Sequence, residues 1–218
     1  LPALTALNLS NTGCGVEAAV ALAKAKVARP ALRELNLSSC KLDDPALAKV
    51  AGALLKVNTP FTLNLSTVYS GHFPDNDDNP FNKFGHPKRN GAAVKALGKL
   101  AGKGSMVELT LIGADLDTTD GAKLGEALLA SNEGCKLETL DLTNTGVGIK
   151  GATAIFEWLG ASTSLTSLTM KGAGQGFLKS AACLAALGKA LQSNTTLTYL
   201  EISYNAELDV RWEGADAA

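Results

Sequence analysis

The residues best suited to chemistry crowd into one stretch. Both histidines, His72 and His86, lie between Ser70 and Arg89, together with Asp75, Asp77, Asp78 and Asn79 and three of the six phenylalanines, Phe73, Phe81 and Phe84. Asp75-x-Asp77-x-Asn79 sets hard oxygen ligands at alternating positions, as the opening of an EF-hand calcium loop does. Such a loop then requires glycine where Pro80 stands and a bidentate glutamate where His86 stands, so the stretch reads as an acidic, solvated loop tip. A zinc pair of His72 and His86 finds no cysteine within ligand spacing. These two histidines are also the only imidazoles available to a Ser/His/Asp or Cys/His constellation, and none can be assembled around one loop. Gly172-x-Gly174-x-Gly176 has the wrong spacing for a dinucleotide fingerprint and reads as a turn. The expectation is a noncatalytic chain with no cofactor and no metal.

What positions these residues begins with composition. At 218 residues and 46% hydrophobic side chains, the chain can bury one sizeable core. Only 5% of residues are aromatic, so that core must be built from aliphatic side chains and close backbone approaches. A formal net charge of -1 argues against a nucleic-acid binder that relies on a broad basic field. Cys14, Cys40, Cys135 and Cys183 form no C-x-x-C pair and read as free thiols in a reducing compartment. No secretory leader and no apolar run of membrane-spanning length is visible. A soluble, intracellular, cytoplasmic protein is expected.

One spacing recurs along the chain: Leu4-x-x-Leu7-x-Leu9, Leu32-x-x-Leu35-x-Leu37, Met106-x-x-Leu109-x-Leu111, Leu137-x-x-Leu140-x-Leu142, Leu165-x-x-Leu168-x-Met170 and Leu197-x-x-Leu200-x-Ile202. A further copy, Phe61-Thr62-Leu63-Asn64-Leu65, is one residue short. Most copies start about 28 to 32 residues apart, and Phe61 to Met106 is the long exception. Alternation puts the paired leucines on one face of a short strand and their neighbours on the other. Asn8-Leu9-Ser10, Asn36-Leu37-Ser38 and Asn64-Leu65-Ser66 match a glycosylation acceptor only because this strand recurs.

Between strands the period becomes helical. In the second repeat Asp44 is the expected N-cap and Pro45 fits the first turn, after which Leu47, Val50, Ala51, Leu54 and Leu55 share a face. Similar segments follow Gly15, Asn90, Asp120, Gly151 and Ser180, with Asp120 also expected as a cap. Their apolar stripes are Ala154, Ile155, Trp158 and Leu159 in one and Leu184, Leu187 and Leu191 in another. Asn58, Asn132 and Asn194 are expected to end helices in the left-handed conformation. No unit hides its apolar face alone, so neighbours must stack.

The long repeat, the true helix in each unit, the Asn-terminated helices and the Gly-Ala starts at Gly91-Ala92, Gly121-Ala122 and Gly151-Ala152 resemble the ribonuclease-inhibitor-type leucine-rich-repeat family, over nearly all of the chain outside the insert and the C-terminal tail. The resemblance implies an α/β horseshoe with a concave parallel sheet and convex helices, in about seven repeats. It implies use as a protein-binding scaffold; members include enzyme inhibitors, sensors, scaffolds and the Ran GTPase-activating protein, which makes GTPase activation the alternative activity. No functional residue of that activator maps onto a motif here. The turn position that such families fill with Asn or Cys is here Thr12, Cys40, Ala114, Thr145, Ala173 and Asn205, and two of these match. Residues 1–218 thus form one solenoid domain with an inserted loop at 70–89 in the third repeat. The abrupt start at Leu1 and the end at Arg211 to Asp216 read as a fragment of a longer protein, or as a subunit of a larger assembly whose ends dock on neighbours.

Two surfaces follow as partner-binding candidates. One is the outward strand face, with Asn8, Glu34, Asn36, Asn64, Glu108, Thr110, Asp141 and Glu201, and Glu138 close by. The other is the insert, through Phe73, Phe81 and Phe84. Lys95, Lys99 and Lys103 gather on a helix, so an acidic strand side and a basic helix side favour a protein partner with a basic surface. Solubility alone also places charge on a solvated sheet. No nucleic acid and no membrane is expected as a partner.

Overall fold

An L-x-x-L-x-L unit has room for only a short strand before the chain must turn, and the computed structural model has strands of this kind throughout. It describes residues 4–40, 42–66, 91–114, 116, 118–174 and 176–205. The seven strands are β1 (Ala6–Asn8), β2 (Glu34–Asn36), β3 (Phe61–Asn64), β4 (Met106–Thr110), β5 (Thr139–Asp141), β6 (Ser167–Thr169) and β7 (Tyr199–Glu201), in one sheet ordered as in the sequence. All pairings are parallel. Helices α1 (Gly15–Val27), α2 (Asp44–Leu54), α3 (Ala92–Gly102), α4 (Thr118–Ala130), α5 (Gly148–Ala161) and α6 (Ala181–Ser193) alternate with them. The architecture is an α/β leucine-rich-repeat solenoid. Strands stack about 4.8 Å apart and helices need about 8–10 Å, so the sheet takes the inner side of the curve.

Between sheet and helices runs one continuous aliphatic core. Leu35, Leu63, Leu109, Leu140 and Leu168 sit in register across it and are at most 1% exposed. Full burial of each is worth about 1.5–3 kcal/mol. The residue missing from the third copy is absorbed as a bulge: Phe61 pairs with Met106 while Thr62 pairs with Glu108, leaving Val107 as the extra residue. Phe61 and Met106 both stay buried. The long steps from Met106 to Leu137 and from Leu165 to Leu197 each hold a three-residue 3-10 turn, Asn132–Gly134 and Phe177–Lys179.

The ladder continues past the strands. Leu9, Leu37, Leu65, Leu111, Leu142 and Met170 donate their N–H groups to the next repeat at 2.7–2.9 Å. Two residues later the backbone turns left-handed at Asn11, Ser39, Gly113, Asn144, Gly172 and Tyr204, and all but the last of these again donate to the next repeat, at 2.8–3.0 Å. The following position shows why Thr substitutes for Asn or Cys. Thr12 and Thr145 Oγ1 donate to Leu9 and Leu142 carbonyls at 2.7 Å, Cys40 Sγ reaches the Leu9 carbonyl at 3.2 Å, and Asn205 Nδ2 donates to Met170 and Ile202 carbonyls at 2.7 Å. Ala114 and Ala173 fill the same core volume, both at 0% exposure.

Several local expectations need correction. The α2 cap is Asp43, whose Oδ1 accepts from Ala46 N at 2.8 Å. Asp44 lies one residue inside, buried, where its carboxylate accepts from Ala92 N and Ala93 N at 3.2 Å and ties the start of α3 to α2. Asp120 likewise sits within the first turn of α4, which begins at Thr118, and α5 begins at Gly148, not after Gly151. Asn58, Asn132 and Asn194 are not left-handed. Asn132 and Asn194 instead reach across to the neighbouring repeat: Asn132 Nδ2 donates to Ala161 O, and Asn194 Nδ2 to Leu159 and Ser162 carbonyls, at 2.8–3.0 Å. In α6 only Leu187 of the expected stripe is buried; Leu184 and Leu191 are 44% and 51% exposed.

Candidate protein-binding face

Period-two alternation that buries the leucines leaves two rows of side chains on the outer sheet face. In register across the strands, one row runs Ala6, Glu34, Thr62, Glu108, Thr139, Ser167, Tyr199 and the other Asn8, Asn36, Asn64, Thr110, Asp141, Thr169, Glu201. Neither row contains a lysine or arginine. Glu34 is exposed, and Asn36, Asn64, Glu108, Asp141 and Glu201 are half-buried. The structure therefore brings these six onto one surface. Phe73, Phe81 and Phe84, with the whole 70–89 insert, lie outside the described residues.

The second row has a structural duty. Asn8, Asn36 and Asn64 Oδ1 accept from the N–H of Ser10, Ser38 and Ser66 at 2.9–3.0 Å, and Asp141 Oδ1 does the same for Thr143 N at 2.9 Å. Each bond fixes the start of the turn above the strand. What is left for a partner differs along the row. The asparagines keep their amide N–H donors, whereas Asp141 keeps a second carboxylate oxygen.

At β7 the face changes character. Tyr199 and Tyr204 are 52% and 79% exposed, among the largest apolar surfaces in the described chain. Between them Glu201 accepts from Ser203 N through Oε1 at 3.1 Å and from the Tyr199 hydroxyl through Oε2 at 3.4 Å. The Ser203 hydroxyl and backbone N–H hold the Glu201 carboxyl below the usual carboxylate range. Lys171, in the turn of the preceding repeat, sets its Nζ 5.0 Å from the Tyr204 ring centroid. Sequence reasoning missed both tyrosines. Tyr199 was findable, being two residues before Glu201 on the same strand face; the exposure of Tyr204 depends on a left-handed turn that no local pattern announces.

The remaining reactive groups sit elsewhere. All four cysteines are free, with Cys40, Cys135 and Cys183 buried. Burial, reinforced by the adjacent Cys40, pushes the Cys14 thiol up, and burial does the same to Cys135 and Cys183, which keeps these thiols protonated and poorly nucleophilic. Lys26 is 1% exposed. Lys95, Lys99 and Lys103 are exposed on the helix side; Lys99 and Lys103 edge a cleft of about 550 Å³ with Leu55, Leu129 and Glu133. Among the described residues no group of three or more His, Cys, Asp or Glu side chains could hold a metal ion, and no helix is long and apolar enough to cross a membrane.

Comparison with known proteins agrees with this geometry. A family model described as Leucine Rich repeat matches residues 30–51, 135–156 and 193–210. These segments carry β2 with the start of α2, β5 with the first part of α5, and β7. Among the curated proteins none matches the chain.

Proposed function

From the premise that this chain is a leucine-rich-repeat protein, we propose that it is a noncatalytic module that binds a protein partner through the outer face of its sheet. Leucine-rich repeats generally mediate protein–protein interaction. The observation that carries the reading here is the pair of outward rows, which hold Glu34, Glu108, Asp141 and Glu201 and no cation. Rows whose charged side chains are all acidic favour a partner with a basic surface. Lys95, Lys99 and Lys103 lie away from it, on the helix side. Free thiols, with Cys135 and Cys183 pushed up by burial, suit a reducing compartment.

The test is capture of partners from lysate by the wild type, by Glu34→Lys combined with Glu108→Lys, and by a deletion of residues 70–89, with thermal melts on each. Loss of capture by the double variant at unchanged melting temperature is expected; unchanged capture by both variants rejects the sheet face and the insert together. Phosphate release from a panel of small GTPases is followed in parallel, and acceleration over the intrinsic rate would replace the noncatalytic reading with the activator one.

A further inference from the structure

Tyr204 stands out by its backbone. At the left-handed turn position other repeats use asparagine, glycine or serine, but Tyr204 adopts φ +59° with its ring 79% exposed. A bulky side chain at positive φ costs about 1–3 kcal/mol, and an exposed ring recovers little of that by burial. Strain kept without a packing return points to function. The ring is also already engaged electrostatically, since Lys171 Nζ lies 5.0 Å from its centroid, within cation–π range. Tyr199, Glu201 and Tyr204 follow one another at the same end of the sheet, and the Glu201 carboxylate is oriented by Ser203 N and the Tyr199 hydroxyl.

We propose that Tyr199, Glu201 and Tyr204 form a subsite for one cationic side chain of the protein partner, with a guanidinium the best fit. This deepens, and rests on, the sheet-face reading above. A planar guanidinium can lie against a tyrosine ring while donating to a carboxylate, which an ammonium does less well. Lys171 is the internal occupant of the Tyr204 ring, and the incoming cation displaces it. Two exposed tyrosines beside a preset carboxylate have the makeup of an interface hot spot. Glu108 and Asp141 lie on the strands behind, with Glu138 just before β5, so the potential along the face draws a cation toward this side of the sheet.

The probe is hexa-arginine amide, titrated into the isotopically labelled chain with backbone and aromatic NMR shifts as the readout, and with hexa-glutamate amide as the control. Shifts centred on Tyr199, Glu201 and Tyr204 are expected. Affinity should fall about tenfold for Glu201→Gln and for Tyr204→Leu, stay within about twofold for Tyr204→Phe, and rise about threefold for Lys171→Met. Tyr204→Gly should raise the melting temperature while abolishing the response, which separates binding from folding. Shifts confined to Glu108 and Asp141 overturn the subsite and leave the sheet-face reading standing. No shift anywhere on the sheet overturns both. A Tyr204→Leu variant that binds as the wild type also overturns the subsite.

Discussion

Gly125 and Gly188 occupy the same place in α4 and α6, yet the surroundings differ completely. A Cβ on Gly125 would meet the backbone of Ala154 and Ile155 at 2.6–2.8 Å, while one on Gly188 would meet nothing within 4 Å. The contrast extends to leucines: Leu159 of α5 is 0% exposed, and Leu191 of α6 is 51% exposed. Each helix carries the same pattern of small and apolar residues, so its burial is decided by whether another repeat packs on its far side. Gly98 facing Ala127, Gly121 facing Val147 and Gly151 facing Gly121 repeat the close approach seen at Gly125. The glycine and alanine content is thus a requirement of the interfaces between helices.

The largest effect separating these regions should come from the core. Leu140, fully buried in β5, loses packing against repeats on both sides when truncated, and Leu140→Ala should cost about 2–5 kcal/mol in urea denaturation. Leu191→Ala, from a half-exposed site, should cost about 0.5 kcal/mol or less. Equal losses would mean that α6 packs as tightly as the middle helices. A smaller effect, but one of opposite signs, is expected at the glycines. Gly125→Ala forces a methyl into the α5 backbone and should destabilise by about 1–3 kcal/mol. Gly188→Ala gains helix propensity in open space and should stabilise by about 1 kcal/mol. Thermal melts of the two single variants test the sign directly.

Much of this was legible in the sequence, because the leucine spacing alone states which residues face in and which face out. Strand order and the outward rows with Glu34, Asn36, Asn64, Glu108, Asp141 and Glu201 follow from it, while the free cysteines were legible from the lack of a C-x-x-C pair. The missed features belong to contacts between repeats. Asp44 looks like a cap from its own helix, but its partners are the N–H groups of Ala92 and Ala93, 48 and 49 residues away. Asn132 and Asn194 look like helix stops, but their amides bond to the next turn over. Leu184 and Leu191 read as core because periodicity cannot say which flank of an apolar stripe is covered by a neighbouring helix. Tyr204 was invisible for the related reason that its exposure follows from the turn ladder, not from the strand pattern.

The first repeats offer the finest test, because a cation is buried there near the end of α1. Lys26 is 1% exposed, donates from Nζ to Thr59 Oγ1 at 3.1 Å and lies 5.4 Å from the Phe61 ring centroid. Among the described residues no carboxylate pairs with it. Burial, with the positive charge of Arg33 second, lowers its pKa from the ordinary 10.5. Between the lowered value and 10.5 the folded state therefore binds fewer protons than the unfolded chain, and stability rises with pH across that window. Lys26→Met keeps the aliphatic stem and removes the buried charge, at the expense of one donor to Thr59. At pH 7 it should stabilise the chain by about 1 kcal/mol, and the advantage should shrink as pH approaches 10.5. If urea denaturation at pH 7 instead finds the methionine variant weaker, the hydrogen bond and the ring contact outweigh desolvation, and the first repeats are held by their cation as firmly as the middle ones are by close packing.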